Sequence, residues 1–218
     1  MEWHIITMIT SYSIIPAFIA ALFKYQAVKE RYLPFLFLLG VGLLNEIIST
    51  LLISIGEQTL LNSRIYILLE MFLLLCQFAW WGLFKRRKAI LYLISSVLVI
   101  IWFIESRSTE PIHSFLPVFR IITAFVLIVL SLRYIFSLMV YKEAPLKQEA
   151  SFLIAIGSCC YFLPVLITEI FISEMSALSD AFKGTLFRTI GLFNIITNLI
   201  YLRAVLWITP KSFFISAS

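Results

Sequence analysis

Tyr32–Gly56 reads YLPFLFLLGVGLLNEIISTLLISIG and contains a single formally charged side chain, that of Glu46. An α-helix rises 1.5 Å per residue, so about 20 apolar residues cross the roughly 30 Å hydrocarbon core of a bilayer. This stretch has that length, and Lys29 and Arg31 precede it. It therefore predicts a membrane-spanning helix.

The same pattern recurs along the whole chain. Of its 218 residues, 61% are hydrophobic and 13% are charged, with a mean hydropathy of +1.01, whereas soluble domains carry about 25% charged residues. Strand-like alternation is absent, and every connection is short, which favours one all-α domain over residues 1–218. We expect a seven-transmembrane-helix bundle with spans at about Trp3–Lys24, Tyr32–Gly56, Asn62–Phe84, Ala89–Glu105, Phe115–Val140, Ala150–Ser173 and Thr185–Trp207.

Basic residues alternate between the connections and predict the orientation. Ten lie on one side of the bundle and three on the other, and the positive-inside rule places the larger group in the cytoplasm. The N-terminus is then outside and the C-terminus is cytoplasmic, as in a multi-pass protein of the bacterial cytoplasmic membrane. The ten are Lys24, Lys29, Arg31, Lys85, Arg86, Arg87, Lys88, Lys142, Lys147 and Lys211, against Arg64, Arg107 and Lys183.

Four prolines bear on the shape of the spans. Pro34 and Pro117 are expected in first helical turns, where proline is tolerated. Pro16 and Pro164 are expected inside spans, where the loss of a backbone hydrogen bond predicts kinks in the first and sixth helices.

Polar residues inside the spans predict an interior cluster. A charged side chain at mid-membrane costs roughly 2.5–3.5 kcal/mol on insertion scales, so these groups are expected to face one another or a polar pocket in the outer half of the bundle. Helical spacing puts the polar residues of the third span on one face of that helix, and it does the same for the polar residues of the seventh span. The ligand-pocket candidates are Asn45, Glu46, Tyr66, Glu70, Arg120, Glu169, Arg188, Asn194, Asn198 and Tyr201.

Several interpretations of this cluster remain open. The residues can be interhelical hydrogen bonds and ion pairs that fix packing, or they can form a ligand-binding or sensing pocket. An unpaired carboxylate would also suit proton-coupled transport. A metal site of Glu46, Glu70 and Glu169 is conceivable for a membrane hydrolase, but the neighbouring arginines argue against it. We therefore expect no metal and no catalytic residue.

Other chemistries have little support in the sequence. Cys76, Cys159 and Cys160 fall inside spans and imply no disulfide framework. His4 and His113 are isolated, which argues against haem ligation. The seventh span has no lysine for a retinal Schiff base, so no cofactor is expected. The net charge of +5 is explained by topology and contact with anionic lipid, and nucleic-acid binding is not expected.

The runs Asn45-Glu46, Arg64-x-Tyr66-x-x-x-Glu70 and Asn194-x-x-x-Asn198-x-x-Tyr201 resemble a family of small uncharacterised bacterial seven-transmembrane-helix proteins. The resemblance covers most of the chain and implies that the polar cluster is a shared site. Relatives often have histidine at the positions of Arg64 and Ile190, so histidine chemistry is not carried over. Similarity to lysoplasmalogenase-type membrane hydrolases is limited to size and helix count.

The leading hypothesis is a non-enzymatic, receptor-like membrane module. It would bind a small molecule, a lipid or a partner's transmembrane helix from the outer side, and pass a change to a membrane or cytoplasmic signalling protein. The alternatives are a membrane-embedded lipid hydrolase or transferase and a small-solute or proton-coupled transporter.

Overall fold

The computed structural model describes residues 8–108, 116–141, 149–172 and 179–208, and these residues form helices joined by turns, with no strand among them. Six of these helices are long and apolar enough to cross a membrane, and a seventh span results if the bent first segment is counted. The prediction of an all-α membrane protein is confirmed at this level. The helices are α1 (Ile15–Phe23), α2 (Tyr25–Arg31), α3 (Leu33–Ser54), α4 (Leu60–Trp80), α5 (Lys88–Ser108), α6 (Pro117–Tyr141), α7 (Ala150–Ile172) and α8 (Asp180–Trp207).

The first helical segment, residues 8–31, is broken twice. Residues 8–12 are helical, the chain turns at residues 13–14, and the helix resumes as α1 with Pro16 in its first turn. The break therefore lies where the proline predicts a kink. At Lys24 the chain bends by 94° into α2, although the sequence predicted only a loop there. The short helix forms because Ala27 and Val28 pack into the core.

Other helix ends agree with the sequence to within five residues. Pro34 and Pro117 lie in the first turns of α3 and α6, as predicted. The largest difference at a C-terminal end is in α4, which ends at Trp80 and not at Phe84. Pro164 lies inside α7, as predicted. The last helix begins five residues earlier than predicted, since the Ser179 hydroxyl accepts a hydrogen bond from the Phe182 backbone N–H and caps it.

The helices pack as a ring with one helix outside it. In order around the ring, α1 contacts α3, then come α4, α6, α7 and α8, and α8 returns to α1. Helix α5 lies on the outside against α4 and α6. Of its most apolar 18-residue stretch only 6% is buried, compared with 50% for the corresponding stretch of α7. Helix α7 is therefore the most buried of the six long helices.

Side chains satisfy backbone groups at several helix ends. The Gln77 amide of α4 accepts a hydrogen bond from Phe35 N (2.9 Å) and donates one to Arg31 O (2.9 Å), so it joins the end of α2 to the start of α3. The Glu105 carboxylate accepts from Val118 N (3.0 Å) and Phe119 N (2.8 Å) at the start of α6. Both contacts satisfy groups that a helix end leaves without an intrahelical partner.

The closest approach of α7 to α8 depends on Gly157. A Cβ atom at this position would lie 2.5 Å from Tyr201 Cε1 and 2.9 Å from Cδ1, and the Tyr201 ring is itself held edge-on against Phe35. We expect Gly157→Ala to lower the free energy of unfolding by about 1–3 kcal/mol, because the ring must move within a packed interior. Thermal unfolding of the purified protein measures this.

Gly184→Ala is the matched control for that substitution. Gly184 also lies in α8, and a Cβ atom there would meet no atom of the described residues within 4 Å. Since alanine is the better helix former, this change should leave stability unchanged or raise it slightly. Equal losses for the two variants would contradict the close packing of α7 on α8.

Candidate functional site

Two adjoining cavities lie inside the helix ring, with volumes of about 40 and 60 Å³. Each is large enough for one or two water-sized groups. Both are lined by Ile14, Tyr66, Tyr161, Asn194 and Asn198, and we call them the paired cavities. Glu70 and Tyr201 line the smaller cavity, whereas Glu46 and Ser11 line the larger one. Six of the ten predicted pocket residues therefore meet here.

The paired cavities lie near the middle of the spans. Glu70 is the eleventh of the 21 residues of α4, and Tyr161 is the twelfth of the 23 residues of α7. At 1.5 Å per residue, each is about 15 Å from either end of its helix. Glu70 and Tyr161 thus lie at the midpoints of their helices, whereas the sequence predicts a polar cluster in the outer half of the bundle.

Glu70 and Tyr66 occupy successive turns of α4 and form the polar wall of the smaller cavity. The Tyr66 hydroxyl donates a hydrogen bond to Glu70 Oε1 (2.9 Å). The i,i+4 spacing puts the two side chains on the same helix face. Glu70 is only 8% exposed, and none of the described residues that line the cavity beside it is basic. A carboxylate in such surroundings favours a proton or a small cation as its ligand.

Glu46 supplies the second carboxyl group. It lies on α3 and lines the larger cavity, with the side chains of Ser11 and Asn45 beside it. Gly42, one turn earlier, lines the same cavity. Asn45 itself turns away towards α4, where its Oδ1 accepts a hydrogen bond from Asn62 Nδ2 (3.0 Å). Asn45 therefore fixes the α3–α4 contact and orients Glu46, and lines neither cavity.

Asn194 and Asn198 hold the break in the first span. Asn198 Nδ2 donates to Ser13 Oγ (2.7 Å), and the Ser13 hydroxyl donates to Thr10 O (2.7 Å). Asn194 Nδ2 also donates to Thr10 O (3.3 Å). Residues lining both cavities are thus hydrogen-bonded to the turn that interrupts the first span. A ligand that changed the asparagine contacts would act directly on this turn.

Tyr201 lines the smaller cavity from α8. Its hydroxyl lies 3.3 Å from Ser158 Oγ, and its ring packs edge-on against Phe35 with ring centroids 5.0 Å apart. The residue is 6% exposed. These contacts give the cavity a rigid floor.

Arg120 and Glu169 form a separate ion pair. Arg120 lies near the start of α6, and Glu169 lies near the end of α7. Arg120 Nε lies 3.0 Å from Glu169 Oε1, and the two side chains are 22% and 4% exposed. Neither residue lines the paired cavities, although Arg120 is within electrostatic range of Glu70. The second carboxylate oxygen, Glu169 Oε2, is buried and has no hydrogen-bond partner in the described part of the chain. The pair joins α6 to α7.

The remaining predicted residue, Arg188, lies apart from this site. It is exposed on α8 and lines neither cavity. Helix α8 is apolar on most sides, so the sequence pattern does not determine which face turns inwards. The predicted set therefore divides into the paired cavities, the Arg120–Glu169 pair, the Asn45 contact and an exposed arginine.

Tyr161, Ser11 and Ser13 belong to the site and were not predicted. Tyr161 lies in an apolar run of α7, and the two serines lie in the first span. Only the rotation of each helix relative to its neighbours brings these hydroxyls to the cavities. The one available signal was the i,i+3 and i,i+4 spacing of Thr10, Ser13 and Ile14, which favours a common face for these residues.

The carboxylates do not gather as metal ligands in the described residues. No three His, Cys, Asp or Glu side chains of that part of the chain are placed to hold a metal ion, so Glu46, Glu70 and Glu169 do not converge. His4 and His113 lie outside the described residues. No family model, curated protein or solved structure matches the chain.

Proposed function

We propose that the protein is a receptor-like, non-enzymatic module of the bacterial cytoplasmic membrane, and that its paired cavities bind a small cation or protonated amine. The observation that carries the proposal is the placement of Glu46 and Glu70 on adjoining cavities lined by tyrosine hydroxyls and asparagine amides and, among the residues that the structure describes, by no basic residue. Cavities of about 40 and 60 Å³ exclude drug-sized ligands, which need roughly 300 Å³ or more.

The proposed topology has seven spans, with the N-terminus outside and the C-terminus cytoplasmic. Charge distribution supports it, since basic residues concentrate at one end of the bundle. Contacts at that end support it too: Gln77 of α4 binds the end of α2, and Lys24 Nζ donates to Ile208 O (3.0 Å) just past α8. The ends of α1, α4 and α8 are thereby joined at the basic side.

The proposed route for a signal is the first span. A ligand in the cavities lies against Asn194 and Asn198, which hold the turn at residues 13–14. A shift of this turn moves α1, and α1 is tied at its other end to α8 through Lys24. The bend into α2 then presents the change at the basic end, where a membrane or cytoplasmic signalling protein would detect it.

Glu70→Gln tests this proposal. The amide keeps the size of the side chain and a partner for Tyr66 but removes the negative charge. We expect binding of ammonium or methylammonium to weaken about 10- to 100-fold, since a hydrogen bond to a charged group contributes about 1.5–3 kcal/mol. Binding of Na⁺ or K⁺ should also weaken, because the carboxylate charge that attracts the ion is lost. Ligand-induced thermal stabilisation in nanodiscs, with choline chloride holding the ionic strength constant, measures the affinity.

Glu57→Gln is the matched control, because Glu57 is exposed in the turn between α3 and α4. It should bind the same cation as the unmodified protein does. If none of the four cations stabilises the unmodified protein, or if both variants lose binding equally, the paired cavities are not a cation site.

A transporter is the second candidate, because the cavities lie at mid-membrane depth, where coupling ions bind in transporters. Proteoliposomes separate the two functions. Uptake of the bound cation, or proton movement that Glu70→Gln abolishes, would favour transport, whereas binding without flux favours the receptor-like module. The hydrolase alternative has no observation among the described residues that favours it.

A further inference from the structure

A basic pocket of about 400 Å³ lies where α4 passes into α5. Its cations are Lys85, Arg86 and Arg87 of the connecting turn and Arg133 of α6. Phe84 and Ile90 line the same pocket and give it an apolar side. It lies at the end of the bundle where α4 finishes and α5 begins, away from the paired cavities.

These four cations have no acidic partner in the described part of the chain. No carboxylate lines the pocket, and the ion pair seen in that part of the chain joins Arg120 to Glu169 elsewhere. The first turn of α5 begins at Lys88 beside the pocket, and helix N-termini carry a partial positive charge. The concentrated positive charge favours an anionic ligand.

Arg133 locates the pocket relative to the bilayer. It is exposed on α6, eight residues before the end of the helix at Tyr141, or about 12 Å along the axis. An arginine facing hydrocarbon at this depth is costly unless its long side chain extends towards the interface and meets a polar group. The lining of the pocket shows where the guanidinium extends.

The surface next to the pocket is apolar. Tyr92 and Leu93 of α5 are 66% and 64% exposed, and Leu132 and Phe136 of α6 are 54% and 67% exposed. These residues lie within a turn of Ile90 or Arg133 along their helices, on spans that face lipid. A ligand with an anionic head and apolar chains would satisfy both the cations and this surface.

We propose that the pocket binds the phosphate group of an anionic phospholipid whose acyl chains lie against α5 and α6. Arginine and lysine bind phosphate oxygens through charge-assisted hydrogen bonds, and basic pockets between helices at the membrane surface accept anionic headgroups. The proposal rests on insertion of the protein into a bilayer and is independent of the paired cavities. The lipid comes from the leaflet at the basic end of the bundle.

Native mass spectrometry of the delipidated full-length protein tests the proposal. Phosphatidylglycerol and phosphatidylcholine with identical acyl chains are the probes, and phosphatidylglycerol should bind at least tenfold more tightly. The double variant Arg87→Gln/Arg133→Gln should weaken phosphatidylglycerol binding about 30-fold, because each base near the surface contributes about 1 kcal/mol, or about fivefold. The four cations of the pocket are exposed, so their substitution should not disturb folding. Lys85→Gln/Arg86→Gln is a second double variant with the same expected loss of binding.

Lys29→Gln/Arg203→Gln is the matched control. It also removes two exposed cations, from α2 and from α8 at the same end of the bundle, but neither residue lines the pocket. Its affinity for phosphatidylglycerol should stay within twofold of the unmodified protein. Equal binding of the two lipids, an equal loss in the control, or displacement of the lipid by inorganic phosphate as from a soluble-anion site would each overturn the proposal.

Discussion

Gln77→Leu is expected to lower the free energy of unfolding by about 2–5 kcal/mol. Gln77 is 1% exposed, and its amide accepts from Phe35 N and donates to Arg31 O. Leucine has a similar volume but leaves both backbone groups without a partner, and each orphaned buried group costs about 1–3 kcal/mol. Phe35 N is buried, whereas Arg31 O is only partly buried at the end of α2, so the larger share of the loss is expected from Phe35 N. Denaturation by increasing sodium dodecyl sulfate in mixed micelles measures the loss.

Two further variants separate the amide contacts from the change of side chain. Gln26→Leu makes the same substitution at an exposed position of α2 and should change stability by less than about 0.5 kcal/mol. Gln77→Met keeps an unbranched apolar side chain of similar length and should be as destabilising as Gln77→Leu. A small effect of both Gln77 variants would mean that water or another side chain satisfies Phe35 N and Arg31 O.

The six long spans follow from the sequence because apolar length alone identifies them. Tyr32–Gly56 and Ala150–Ser173 were predicted within three residues of the observed helix ends. By contrast, α2 has the sequence YQAVKER, in which three of seven residues are charged. Its helical state depends on the burial of Ala27 and Val28 in a groove that exists only after the bundle has assembled. Such a segment is indistinguishable from a polar loop before folding.

The candidate site was predictable in part for a similar reason. Glu70 and Tyr66 lie four residues apart, so helix geometry alone brings them together. The partners from other helices depend on how each span is rotated about its axis. Arg188 shows the limit, because it lies in the same apolar span as Asn198 and yet is exposed. In a membrane the apolar surface of a span is uniform, so hydropathy does not define the inward face.

Arg120→Leu is expected to cost about 3–5 kcal/mol, the second of the two largest effects. The substitution leaves the Glu169 carboxyl group, which is 4% exposed, without its cation, and an unpaired buried charge is strongly destabilising. Glu169→Leu should cost less, because the Arg120 side chain is 22% exposed and can extend towards the helix end. Unfolding in mixed micelles at pH 7 measures both variants.

The double variant Arg120→Leu/Glu169→Leu decides whether the pair stabilises the bundle or mainly specifies its packing. Replacing both partners of a buried ion pair with apolar groups is often neutral, because the desolvation cost disappears together with the attraction. We therefore expect the double variant to recover most of the stability lost in Arg120→Leu. Arg203→Leu, at an exposed arginine that packs on Trp207, should have little effect and controls for the change of residue type.

Additive losses in the double variant would contradict this interpretation. Additivity would mean that the two side chains contribute independently, and Glu169 Oε2 would then need another partner than the arginine. If the double variant instead recovers stability and binds the cation as the unmodified protein does, the ion pair acts independently of the paired cavities. Arg120 is within electrostatic range of Glu70, so tighter cation binding in the double variant would show that its positive charge opposes the ligand.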